Sequence, residues 1–111
     1  MKTYIGVVGP EVKRGENVIV VDENGRRYLD PRFDLRTHSP DGFSWGYHGS
    51  GCAQLALAIL ADAIGDERAI ANYHMFKGRV VANWPEDRHW IMAVEEVEAI
   101  VEELERKMVT A

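Results

Sequence analysis

A single cysteine, Cys52, rules out an intramolecular disulfide in this chain of 111 residues, and a lone thiol fits a reducing compartment. No apolar run is long enough to span a bilayer. The longest, 52–64, is broken by Gln54 and Asp62 and falls short of the roughly 20 residues a membrane helix needs. Residues 1–6 lack the apolar stretch of a secretory signal, so the cytoplasm is the expected location. Basic charge is scarce as well. Lys and Arg number 13 against 18 Asp and Glu, a net charge of −5. Without a basic patch to attract phosphate backbones, nucleic-acid binding by bulk charge is excluded. The acidity is concentrated near the end: from Ala93 onward six glutamates (95, 96, 98, 102, 103 and 105) face only Arg106 and Lys107. The four histidines, His38, His48, His74 and His89, show no metal-ligand spacing with one another or with Cys52, so neither a metal site nor a cofactor is expected.

What the chain does have is regular patterning. Residues 3–8 are β-branched and aromatic and stop at Gly9-Pro10, 17–21 form a second apolar run, and Asn24-Gly25 signals a tight turn into 26–29. Connections this short imply an antiparallel meander over 1–30. Three helices follow. Residues 52–64 are apolar around the whole circumference, which requires neighbours on all sides. In 67–82 the stripe Ala69, Ile70, Tyr73, Phe76, Val80 has helical spacing, with Asp66 as the expected N-cap. A short extended piece, His89 to Met92, leads to a last helix over about 93–108 with the stripe Val94, Val97, Ile100, Val101, Leu104 and Met108. That helix should pack at the edge of the fold, and trimming after Thr110 should be neutral. Asp62, on an otherwise apolar helix, must be paired or at its wet end, because an unpaired buried carboxylate is too costly. The expected fold class is α+β: one domain over 1–111, with a small antiparallel sheet of about three strands packed against three α-helices.

Chemistry-bearing residues concentrate in 38–54. Gly49, Ser50 and Gly51 open the central helix, where free backbone N–H groups and the helix dipole can take an anion. The loop matches neither a Walker A sequence nor the spaced dinucleotide fingerprint. With Gly51 as N-cap, Gln54 falls at N3 and can reach back to the chain, so plain capping explains the same residues. Phe43, Trp45 and Tyr47 alternate; on an extended segment they share a face that stacks a planar ligand or fills the core. Arg36 and His38 supply polar groups beside them. His38 or His48 as base and Ser50 or Cys52 as nucleophile are the candidates, since a Cys near a helix N-terminus has a lowered pKa. Against that, Cys52 also reads as a small apolar residue of a buried helix. His74 reads as a partly buried packing residue. His38 or Ser39 is expected to hydrogen-bond backbone near Gly49 and Gly51, clamping the loop.

The run Asp30-Pro31-Arg32-x-Asp34-Leu35-Arg36-x-His38-Ser39-Pro40-x-Gly42-Phe43-x-Trp45-Gly46-Tyr47-x-Gly49-Ser50-Gly51-x-Ala53-Gln54-Leu55-Ala56-Leu57 resembles a family of small uncharacterised domains of bacteria, archaea and their phages or plasmids. The similarity extends to Tyr73, Phe76 and Lys77. Members usually carry proline where this chain has Cys52, which implies a helix start there and argues against a thiol mechanism. The resemblance brings no activity with it.

Two function classes remain. The first is a non-enzymatic binding or regulatory module, an accessory protein of mobile elements, acting through 38–54 on an unknown protein or a small anionic ligand through Gly49, Ser50, Gly51, Gln54, His38 and Arg36. The second is a small hydrolase or transferase using His38, Ser50 and the helix N-terminal anion site. No membrane partner is implied, and monomer and homodimer are both open.

Overall fold

The computed structural model describes residues 1–110. Strands β1 (Thr3–Gly6), β2 (Val18–Asp22) and β3 (Gly25–Tyr28) form the meander expected from the sequence. A fourth strand, β4 (Trp90–Ala93), pairs antiparallel with the open side of β1, giving the order β3-β2-β1-β4. The sheet therefore has four strands, not three. β4 is the piece read as merely extended, and its partner lies more than eighty residues away, beyond the reach of local pattern. The hairpin turn is Glu23-Asn24, one residue earlier than the Asn-Gly signal suggested, with Gly25 opening β3 at φ 124°.

The helices are α1 (Ser50–Ile64), α2 (Asp66–Arg79) and α3 (Val94–Thr110), with a 3₁₀ turn at Val81–Asn83 where the α2 stripe was expected to continue. Ala111 lies outside the described residues, and with it the expectation that trimming after Thr110 is neutral. The fold is α+β. Alternation along the strands sends Tyr4, Val18, Val20, Trp90 and Met92 to one face, where all are buried, as period-2 patterning requires. Against that face lies α1, buried at every position from Gly51 to Ala61. Its all-round apolarity is satisfied by the sheet on one side and by α2 and α3 on the other. Val97, Val101 and Leu104 of α3 join the same core, whereas Met108, the last residue of the expected stripe, is exposed one turn beyond it.

Asp62 is paired, as its position on α1 demanded. Tyr4 Oη donates to its Oδ2 at 2.7 Å, Lys2 Nζ at 3.1 Å, and Arg27 Nη2 donates to Oδ1 at 2.8 Å. Three donors from the helix-facing side of the sheet thus converge on the last turn of α1. Burial pushes the Asp62 carboxyl up, but these hydrogen bonds outweigh it and hold the group below the usual carboxylate range. Two capping expectations are corrected. The N-cap of α1 is Gly49, two residues before Gly51, and that of α2 is Gly65 rather than Asp66. Asp66 instead pairs its carboxylate with Arg32, Nη1 to Oδ1 at 2.8 Å and Nη2 to Oδ2 at 2.9 Å.

Candidate functional site

The segment between β3 and α1 has no regular structure and is held by side chains. Its anchor is Gln54, fully buried on the first turns of α1. Gln54 Oε1 accepts the backbone N–H groups of His38 at 2.7 Å and Ser39 at 3.2 Å, while Nε2 donates to the carbonyls of Pro31 at 2.6 Å and Arg36 at 3.0 Å. The expected reach-back of Gln54 within its own helix does not occur, because the helix starts earlier and the amide points across to residues 31–39. The clamp expected between His38 or Ser39 and the backbone near Gly49–51 is likewise replaced by these bonds to Gln54. Between the clamped residues, Arg32 adopts φ 58°, a left-handed conformation uncommon outside glycine. It is fixed there by Asp30 Oδ1, which accepts its N–H at 2.8 Å, and by its ion pairs with Asp34 and Asp66.

The His38 ring is also committed. Its Nε2 lies 2.7 Å from Tyr73 Oη of α2, and the imidazole sits edge-on to His74. Burial, then the neighbouring His74, Lys77 and Arg36, hold its pKa below the ordinary histidine value. His74 itself is exposed, not the partly buried packing residue expected; its ring lies over Tyr73 at 4.1 Å. No hydrogen bond joins His38 or the exposed His48 to Ser50 or Cys52 among the described residues. Ser50 is exposed. Cys52 is fully buried, its Sγ 3.9 Å from Ser44 Oγ.

The aromatic row divides in three. Trp45 is buried, donating Nε1–H to the carbonyl of Arg88 at 3.1 Å and meeting Trp90 edge-on at 5.7 Å. Trp84 stacks on Trp90, centroids 4.0 Å apart. Phe43 is half-buried and Tyr47 exposed. They do not share one face, because Gly46 at φ 90° turns the chain between Trp45 and Tyr47. A Cβ at Gly46 would lie 2.6 Å from Glu86 Cα, so the turn also depends on close backbone approach. Tyr47 then folds against Gly49, and its hydroxyl lies 2.9 Å from Ser44 Oγ.

The concave feature lies on the other side of this segment. A cleft enclosing about 400 Å³ runs between the β1–β2 connection, with Val12, Lys13, Arg14 and Asn17, and the stretch Asp41, Phe43, Ser44, Trp45. Two bonds join its walls: Arg14 Nη1 reaches Asp41 Oδ1 at 3.1 Å, and Asn17 Nδ2 donates to the Phe43 carbonyl at 3.0 Å. Of the residues singled out as ligand-binding, His38, Arg36 and Gln54 come together in the Gln54 clamp, and Gly49, Ser50 and Gly51 open α1. None of the six lines the cleft. Lys13, Arg14 and Asn17 escaped sequence reasoning because they lie some thirty residues from the other wall. The usable signal was limited to the polar turn between Gly9 and Gly15, which nothing in the sequence ties to the aromatic run.

No helix among the described residues is long and apolar enough to cross a membrane, and no three of their His, Cys, Asp and Glu side chains converge as a metal ion would need. No curated protein and no solved structure matches the chain. A family model does, over residues 7–103, from the end of β1 through most of α3 and across both walls of the cleft: the chain belongs to DUF6166, a family of unknown function.

Proposed function

We propose that the chain is a non-enzymatic binding module whose ligand enters the cleft between residues 7–17 and 41–45. The observation behind this reading is a division of labour within one loop. Four backbone groups of 31–39 are engaged by Gln54, and the His38 ring by Tyr73, while the continuation of the same loop forms a cleft wall bearing Phe43, Ser44 and Trp45. Such a mix of apolar wall and few polar groups, set on a fixed frame, suits a small ligand. Arg14 is taken up by Asp41, so Lys13 is the lining group that favours an anion, set against Glu86 elsewhere on the lining, and Phe43 offers an apolar surface to the rest of the molecule. Gln54, His38 and Arg36 then serve as the frame, and Gly49, Ser50 and Gly51 as the fixed end of α1 behind it. The resemblance to phage- and plasmid-borne domains supports an accessory role in the cytoplasm. The hydrolase or transferase alternative lacks support: nucleophilic catalysis needs an oriented base beside the nucleophile, and neither Ser50 nor Cys52 has one.

The test is a binding screen of small aromatic carboxylates and organic phosphates by amide chemical-shift mapping. Shifts should centre on Lys13, Asn17, Phe43 and Ser44. Phe43→Ala and Lys13→Glu should weaken binding at least about tenfold, with the melting temperature nearly retained. Shifts confined to Gly49, Ser50 and Gly51, or turnover of an ester probe that is lost in Ser50→Ala, would overturn it.

A further inference from the structure

Only one face of the sheet is covered by helices. On the other, the register aligns Tyr28, Ile19, Ile5 and Ile91 in one row across β3, β2, β1 and β4, and Arg26, Val21, Thr3 and Ala93 in the next. Ile91 is 70% exposed, Tyr28 49% and Val21 36%. The first row is thus apolar throughout, open to water at its two ends and half-buried at Ile5 and Ile19 between them. An exposed apolar patch of this kind can mark an interaction surface.

A partner strand has little purchase on the edges of this sheet. Edge β3 carries Arg26 and Arg27, the charged guard that discourages strand addition. At edge β4, Val94 N donates to the Lys2 carbonyl at 2.8 Å, so alternate residues turn their backbone groups outward, and Ala93 N is already taken by Glu96 Oε1 at 3.0 Å. Ile91 alone in β4 is left to offer a free outward pair. The partner must therefore lie on the face.

We infer that the occupant of this face is a second copy of the chain, packed sheet to sheet about a two-fold axis parallel to the strands. That axis lays β3 of each copy over β4 of the other. The two ends of the sheet are complementary in charge. Arg26 stands on the β3 end of the face, and at the β4 end Ala93 of the same row runs directly into the first turn of α3, with exposed Glu95 and Glu96. The rotation brings Arg26 of each copy to Glu95 of the other, twice, while Tyr28 covers Ile91 and Ile19 covers Ile5. An isologous contact needs such self-complementarity, and sheets pack this way at about 10 Å separation. At a strand spacing of ~4.8 Å and a rise of ~3.4 Å per residue, four strands present a footprint on the order of 300 Å² per copy. A standard interface buries about 800 Å² per partner. The dimer is accordingly weak and reversible.

Sedimentation velocity of the full chain from about 10 µM to 1 mM tests this. The wild type should pass from monomer towards dimer across that range. Ile91→Glu should stay monomeric throughout while melting like the wild type, since Ile91 is on the surface; Tyr28→Glu serves the same purpose if Ile91→Glu misfolds. Arg26→Glu should weaken association about tenfold, and adding Glu95→Arg should restore it to within about threefold of wild type. A monomeric wild type at 1 mM, a dimer that survives both face variants, or a charge swap without rescue would overturn the proposal.

Discussion

Gln54 holds His38 by the backbone rather than by the ring: Oε1 of the buried amide accepts the His38 N–H at 2.7 Å. The same side chain also accepts from Ser39 and donates to Pro31 and Arg36, so all four of its bonds fall on one loop. The clamp is made from the most buried helix in the fold, so the loop inherits that helix's rigidity.

Gln54→Ala would leave two N–H groups and two carbonyls without their partner. At about 1–3 kcal/mol for each buried group stranded, discounted for water entering the gap, the loss should be about 3 kcal/mol or more in urea denaturation. Limited proteolysis within 31–49 should rise in step. Gln54→Glu keeps the two acceptor bonds but turns a carboxylate towards two carbonyl oxygens. It should be destabilised at neutral pH and partly recovered under mild acid, where the carboxyl can donate once.

Gln54 also marks the boundary of what the sequence made legible. A polar residue in a run such as Leu55 to Leu60 advertises a buried hydrogen-bonding task, and helical spacing placed it correctly on α1. Its partners, 15 to 23 residues upstream, belong to a loop without periodicity, and only tertiary packing selects them. Asp62 shows the same division: the need for a partner followed from desolvation cost, while Lys2, Tyr4 and Arg27 as the partners followed from sheet alignment. β4 was visible as an extended piece, but pairing with β1 is a long-range event. The cleft was the least legible feature. Its walls come from residues 7–17 and 41–45, and no local pattern couples a lysine-arginine turn to an aromatic run thirty residues later.

Asp62→Asn should cost about 1–3 kcal/mol at pH 7 by removing the charged acceptor of Tyr4, Lys2 and Arg27. The sign of the pH effect follows from the depressed carboxyl. Protonation is harder in the folded than in the unfolded chain, so the contribution is fully present above the ordinary aspartate value and is lost as pH falls through the lower folded value. Denaturation midpoints measured from pH 7 to pH 2 should therefore drop less steeply in Asp62→Asn. Equal slopes in the two proteins would refute this account of the pair.

Gly51→Ala sets two effects against each other. Helix propensity favours alanine in α1 by about 0.5–1 kcal/mol. The added Cβ, however, would overlap Ser44 Oγ and press on Ser44 Cβ and N at 3.1 Å. Overpacking of a fixed site costs about 1–3 kcal/mol, so the clash should win and the variant should melt lower. Ser44→Gly introduced into Gly51→Ala removes the hydroxyl and Cβ but not the backbone nitrogen, and should recover part of the loss. A Gly51→Ala protein more stable than wild type would mean that residues 43–45 move freely over the start of α1.

His38 tests whether the loop histidine is first of all architectural. Its pKa is lowered by burial and by nearby His74, Lys77 and Arg36, so the folded chain disfavours the imidazolium relative to the unfolded chain. The stabilising contribution is present above the ordinary histidine value near 6.5 and is lost as pH falls through the folded value. An NMR titration should place His38 below that ordinary value. Tyr73→Phe, which removes the 2.7 Å bond from Nε2, should cost about 0.5–1.5 kcal/mol. His38→Ala should lose a similar amount at pH 7.5 and differ less from wild type at pH 5, below the ordinary histidine value, where protonation favours the unfolded wild-type chain. The backbone N–H that Gln54 accepts survives this substitution, so the loop should keep its path and cleft binding should persist. If His38→Ala instead retained full stability and abolished binding at the cleft, the ring would belong to the ligand site and the architectural assignment would fall.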